Sequence, residues 1–247
     1  MMQRLIVHHA KFIRRMTCLT SSISLLLLGT PSFAGYTPPQ DARIPRTDHT
    51  GGGVRGCGGE IAALAPRLQS VGHSLSSRPT FVWYVLSDEP QPVEFHLYRY
   101  QPDGALEEVL IHSVGQSTKG YMTYTLPSDH PDLAVGETYL WQVMLYCDQN
   151  LEDIDAWSTA DIQVVSPLPA LTAGLSGDPL QRAQAYAQSG YWYEAIATIY
   201  DATSPDAQAF RQSLLLDLAD LETPPEGDLS TQEQTLIEQL RAIANLE

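Results

Sequence analysis

Several groups of residues have the types and spacing for chemistry. Gly51, Gly53 and Gly56 in "GGGVRG" spell G-x-G-x-x-G, the glycine pattern that lets backbone amides cradle a pyrophosphate. In "CDQNLEDID", Asp148, Asn150, Asp153 and Asp155 offer oxygen ligands of the kind a hard cation such as calcium takes. Five histidines beyond the first 34 residues, His49, His73, His96, His112 and His130, have the chemistry of acids and bases. Paired carboxylates (Asp88–Glu89, Glu107–Glu108, Asp153 with Asp155) are the groups a glycosidase needs across a sugar cleft.

Each of these needs an element to position it, and the elements are missing. The glycine fingerprint works at a strand-to-helix turn. Nothing upstream of Gly51 reads as a strand, and "CGGEIAALAP" allows one short turn before Pro66. The string therefore reads as a glycine-rich linker. The acidic loop lacks the central glycine and closing glutamate of a calcium loop, having Thr159 at the closing position, and reads as a solvated turn. No G-x-S-x-G, H-E-x-x-H or Ser-His-Asp set includes any of the histidines. His96 and His112 fall on strand faces as exposed polar residues. Abundant acidic residues single out no carboxyl pair. The reading assigns no catalytic residue, no cofactor and no metal, and expects a non-enzyme.

The N-terminus has the layout of a secretory signal peptide. Arg4, Lys11, Arg14 and Arg15 precede the apolar "CLTSSISLLLLG", and "TPSFA" supplies Ser32 and Ala34 as the small residues of an A-x-A-like site, so cleavage is expected after Ala34. The apolar run falls short of the roughly 20 residues a membrane span takes. Removing residues 1–34 leaves ten basic and 29 acidic residues, a net charge of −19, which repels nucleic acid and anionic lipid. Two cysteines remain, Cys57 and Cys147. In an exported protein an isolated pair is most simply one disulfide; neither has a C-x-x-C partner or a histidine at ligand spacing.

Residues 35–60, rich in Pro, Gly and Thr, read as a flexible arm. From 61 to 167 short apolar runs alternate with turns: 80–86, 93–100, 108–114, 120–127, 138–147 and 159–166, with 61–70 supplying a first strand. Regular short runs of this kind indicate an antiparallel β-sandwich of seven strands. "LAVGETY" (133–139) looks like the tyrosine corner of immunoglobulin-like and fibronectin-like sandwiches, and Trp83 falls in its core. After Pro169 the period becomes helical. Asp178-Pro179 opens a helix, Ser189-Gly190 breaks it, a second runs over about 191–202, Ser204-Pro205 opens a third, and Ser230-x-x-Glu233 is a capping box for a fourth. The fold class is α+β in two parts, a β-sandwich at 61–167 and a small helical domain at 168–247.

"RAQAYAQSGYWYEAIATIYD" resembles one tetratricopeptide repeat. With "RGCGG", "RPTFVWYV" and "LAVGETYLWQVMLYCD", the chain resembles a cyanobacterial family known only as domain of unknown function 928, over roughly residues 51–221. The resemblance implies a secreted sandwich followed by a helical hairpin, places Cys57 and Cys147 at the family's two cysteine positions, and carries no activity. The function expected is a non-catalytic periplasmic or extracellular interaction protein whose partner is another envelope or exported protein, with no nucleic acid and no stable membrane insertion. The alternatives are an envelope-acting hydrolase and a carbohydrate- or calcium-binding module. The second helix has two apolar stripes, Trp192/Ala195/Ile196/Ile199 and Tyr193/Ala197/Tyr200, and so needs two neighbours. Tyr191, Tyr193 and Tyr200 are the candidate partner-binding patch, with at least one of Tyr191 and Tyr193 expected to stay exposed.

Overall fold

The computed structural model describes residues 35–46, 56–166, 177–224 and 229–246. The expected signal peptide, Gly51 and Gly53 of the glycine string, and His49 lie outside them. Period-2 alternation of apolar residues builds two sheets. β1 (Ile61–Ala63), β3 (Thr80–Val85) and β6 (Gly120–Thr125) form one antiparallel sheet in the order β1-β3-β6. β2 (Gly72–Ser74), β4 (Pro92–Tyr100), β5 (Leu106–Gln116), β7 (Thr138–Tyr146) and β8 (Ile154–Val164) form the other, in the order β2-β8-β7-β4-β5. Only the short β2 runs parallel to its neighbour, β8.

The strand expected at 61–70 is confined to Ile61–Ala63, an extra three-residue strand, Gly72–Ser74, follows in the other sheet, and the described residues hold eight strands rather than the seven expected. Pro66 lies in the break, where the chain crosses from one sheet to the other. β8 begins at Ile154, five residues earlier than expected, so the end of the acidic stretch is strand.

Alternate residues from both sheets meet between them. Phe81 lies 4.8 Å from Phe95 and 5.3 Å from Trp141 between ring centroids, and Trp83 stacks on Phe95. All four are fully buried, Trp83 in the core as expected. At the start of β7 the Ala134 N–H donates to the Tyr139 hydroxyl at 2.9 Å, the back-bond expected of "LAVGETY". Cys57 and Cys147 are bonded, with Cα atoms 5.8 Å apart.

The helices start and stop where the sequence signals lie. α1 (Pro179–Gln188) is capped by Asp178, and α3 (Pro205–Leu221) by Ser204. α4 (Thr231–Ala244) carries the full Ser230/Glu233 capping box. α2 (Trp192–Ile199) is shorter than expected. Its C-terminal end is closed by Arg211 of α3, whose guanidinium donates to the carbonyls of Ile199, Tyr200 and Ala202 and lies over the Tyr121 ring.

α2 meets the sheets through three consecutive residues. The Trp192 indole N–H donates to the Leu64 carbonyl at 2.7 Å. The Tyr193 hydroxyl donates to the Asp161 carbonyl at 3.0 Å and accepts from the Trp141 indole N–H at 2.7 Å. The Glu194 carboxylate accepts from the Ser74 hydroxyl and from the Leu75 and Ser76 amides. The Tyr193 ring lies so close to Gly72 that a Cβ there would come within 2.8 Å of it. The second neighbour that α2 required is therefore the β-sheet part of the same chain. The two expected parts share one continuous hydrophobic core.

The flexible arm is corrected over its described residues. Tyr36 is 7% exposed, its ring edge-on to Trp192 at 5.0 Å. The Thr37 amide donates to Ala187, the Val71 amide to the Arg43 carbonyl, and the Arg46 amide to the Asp161 carboxylate. A strap held by isolated contacts needs no apolar period, so this stretch looked structureless in sequence.

Tyr193→Phe should keep the fold but leave the buried Trp141 N–H without its acceptor. The expected cost is about 1–3 kcal/mol, measured by urea unfolding against wild type with unchanged circular dichroism.

Candidate functional site

The tyrosine patch is not a surface. Tyr191 is 2% and Tyr193 1% exposed, and Tyr200 is half-buried. This corrects the expectation that one of the first two stays open. Tyr193 is consumed by Trp141 and Asp161, because the facing sheet is closer than any partner could come.

The acidic loop also turns inward on itself. Asp148 accepts the amides of Asn150, Glu152 and Asp153, a loop-closing pattern. Asp155 is fully buried on the other side, accepting the Cys57 and Gly59 amides and the Gln91 side chain. The four oxygen ligands supposed for a cation do not converge. Cys57, Cys147 and Asp155 do cluster, but the two sulfurs are bonded to each other.

Asp155 belongs to a wider set that sequence reasoning missed. Glu222, at the end of α3, is almost fully buried and accepts the amides of Arg67, Leu68 and Gln69, the nearest at 2.6 and 2.7 Å. Burial pushes its carboxyl up to about 7, against the opposing pull of those three amides and of the Arg67 charge. Arg67 is itself brought down to about 10 by burial, with Glu222 acting the other way. Burial likewise raises Glu194, whose second oxygen has no partner among the described residues. Asp217 of α3 accepts the Tyr36 amide. The only sequence signal was an acidic residue inside an apolar stripe, as in "YWYEAIATIY".

His96 is mostly buried, not exposed, and sits in a chain of side chains on the outer face of β4 and β7. Its Nε2 is 3.1 Å from Glu94 and its Nδ1 2.9 Å from the Tyr98 hydroxyl, while the Tyr146 hydroxyl donates to the same Glu94 oxygen at 2.8 Å. Burial first, then the Glu94 bond, raises the Tyr146 phenol far above its ordinary value, so it stays protonated and donates. Both imidazole nitrogens are engaged, one by the Glu94 carboxylate and one by the Tyr98 phenol, and the chain of bonds braces the sheet face. His112 is exposed, as expected.

One edge is open. β5 closes the five-stranded sheet, runs 11 residues, and among the described residues pairs with β4 alone. Leu106 and Ile111 on it are 45% and 43% exposed. Arg99 of β4 and Gln101 tether its start through Glu107.

A family described as Domain of Unknown Function (DUF928) matches residues 50–225. No curated protein matches the chain. Among solved structures, a lytic polysaccharide monooxygenase important for efficient utilization of chitin in Cellvibrio japonicus is similar at 12% identity and a TM-score of 0.29, over 40% of this chain and 58% of that one.

Because the folded Glu222 carboxyl lies near 7 and an unfolded one near 4.5, its contribution to stability is complete below about 4.5 and lost as pH rises through about 7. Lowering pH from 8 to 5 should therefore raise unfolding free energy, by up to about 3 kcal/mol from this group. Urea titrations at the two pH values should show the gain shrinking in Glu222→Gln.

Proposed function

The chain belongs to the DUF928 family, and from that premise we propose that it is a non-catalytic, exported interaction or scaffold protein of the cell envelope. Export is supported by the basic n-region, the apolar run and the small residues before Gly35, together with a disulfide that suits an oxidising compartment. No helix among the described residues is long and apolar enough to cross a membrane. The strand order, with β2 parallel to β8, and the Tyr139 back-bond favour an immunoglobulin- or fibronectin-like sandwich. The α1–α2 hairpin favours a tetratricopeptide-like unit docked on it. Both are recognition scaffolds, and a fold by itself names no activity.

The observation that carries the reading is the β5 edge. Proteins usually blunt a long edge strand with charges, Pro, bulges or short length, and β5 carries two register shifts against β4, at Val93/Glu94 and Leu97/Tyr98. β5 has Glu107 and Glu108 at its start, then runs through Val109, Leu110 and Ile111 to Val114 with no acidic or lysine side chain. Its outer backbone groups suit the addition of an extended segment from an exported partner, which takes affinity from main-chain bonds and selectivity from alternate side chains.

A photo-crosslinking residue at position 111 should capture a discrete partner in intact cells, while the same probe at Val135, exposed on a loop away from the β5 strand, should not. Leu106→Arg with Ile111→Arg should cut recovery at least tenfold at an unchanged melting temperature. Equal capture at 111 and 135, or full recovery by the double variant, would count against the edge.

A further inference from the structure

The backbone of Gly35 lies directly against the carboxylate of Asp217 on α3. A Cβ added to Gly35 would sit 1.4 Å from Asp217 Oδ2, so no other residue fits without displacing that side chain. Nitrogen and Cβ of one residue share an α-carbon and are about 2.5 Å apart, which keeps the Gly35 nitrogen within about 4 Å of Oδ2. The next amide, of Tyr36, donates to the same oxygen at 3.2 Å. Tyr36 and Thr37 hold this stretch in place, the first against Trp192 and the second on the Ala187 carbonyl.

Asp217 has no cationic partner among the described residues. Asp220, on the same helix, is paired with Arg241 of α4 at 3.0 Å. Burial raises the Asp217 carboxyl, the Tyr36 amide opposes this, and the charge of Asp220 adds to it. Glu222 bears on Tyr36 as well. The neighbourhood is thus short of positive charge. A pocket of about 410 Å³ opens there, lined by Gly35, Tyr36, Thr37, Asp217, Asp220 and Leu221.

We infer that Gly35 is the docked N-terminus of the processed protein, its α-ammonium paired with Asp217. The inference rests on the reading that a signal peptidase cuts after Ala34. In that step water adds across the Ala34–Gly35 amide, leaving a carboxylate on Ala34 and an amine on Gly35 that takes up a proton. One neutral amide becomes a cation with three N–H donors, placed where a half-buried carboxylate lacks one. Processing then locks the strap of residues 35–39 onto α1 and α2, so maturation and folding are coupled at a single ion pair. The absence of a side chain at Gly35 is also what lets the ammonium reach Asp217.

The test uses two proteins, one released from a fusion so that it starts at Gly35 and one with a single alanine ahead of it. The α-amine pKa is followed by NMR across pH. In the Gly35-first protein it should lie at least one unit above the ordinary value of about 7.7–8.0, and in the extended protein it should be ordinary. Asp217→Asn should return the Gly35-first value to ordinary; if that variant does not fold, the alanine extension supplies the comparison. Amide exchange at Tyr36 and Thr37 should be at least tenfold slower in the Gly35-first protein. An ordinary pKa there overturns the ion pair. N-terminal sequencing of the exported protein judges the cleavage separately, and a start other than Gly35 overturns the coupling to processing even if the pair forms in the prepared protein.

Discussion

A backbone amide that leaves a sheet and becomes buried must find an acceptor, and in this protein a set of buried carboxylates supplies it at several such places. Glu222 takes three successive amides where the chain crosses between the sheets after β1. Glu194 takes two more just after β2. Asp155 takes those of Cys57 and Gly59, and Asp161 that of Arg46. Neutral acceptors would make weaker bonds, since bonds to ionised groups are roughly twice as strong. Carboxylates bring a desolvation penalty in exchange, visible in the raised values of Glu194 and Glu222. Part of the acidity of the chain is thus structural rather than a solvated surface.

Two of these carboxylates, Glu194 and Glu222, sit on helices while the amides they hold belong to segments beside the strands. That geometry makes the helical and sheet parts one body. α2 alone contributes an indole to Leu64, a phenol between Trp141 and Asp161, and a carboxylate to the turn after β2, from three consecutive residues. Successive residues on a helix point about 100° apart, so they can reach three different places only if the sheets wrap the start of the helix. This is why a residue pattern that suggested an open binding stripe turned out to be an internal joint.

What was legible in the sequence was what local physics decides. Asp178-Pro179, Ser204-Pro205 and Ser230/Glu233 mark helix starts because a cap acts within four residues. The strands of 80–85, 92–100 and 138–146 are legible because period 2 and β-branched or aromatic content act along one run. The Cys57–Cys147 bond followed from counting. What was not legible needed two distant segments. Tyr36 and Trp192 are 156 positions apart, and neither is marked as the other's partner. Tyr191 and Tyr193 look the same as exposed tyrosines until the sheet beneath them is in place. His96 was misplaced for a related reason: alternation puts it on the outer face, but Glu94, Tyr98 and Tyr146 cover it there.

The same joint bears on how such a protein can recognise anything. A lone helical hairpin would present a groove, but here its apolar stripes are spent on the sheets and on α3. The braced outer face of β4 and β7 has engaged its polar side chains with one another, and the loop at 148–153 has closed on Asp148. Backbone at the rim is different, because among the described residues the outer edge of β5 holds main-chain donors and acceptors that β4 cannot use. Recognition at such an edge asks for no rearrangement of the core and little ordering on this side of the interface, which is the condition under which a modest contact area becomes useful affinity.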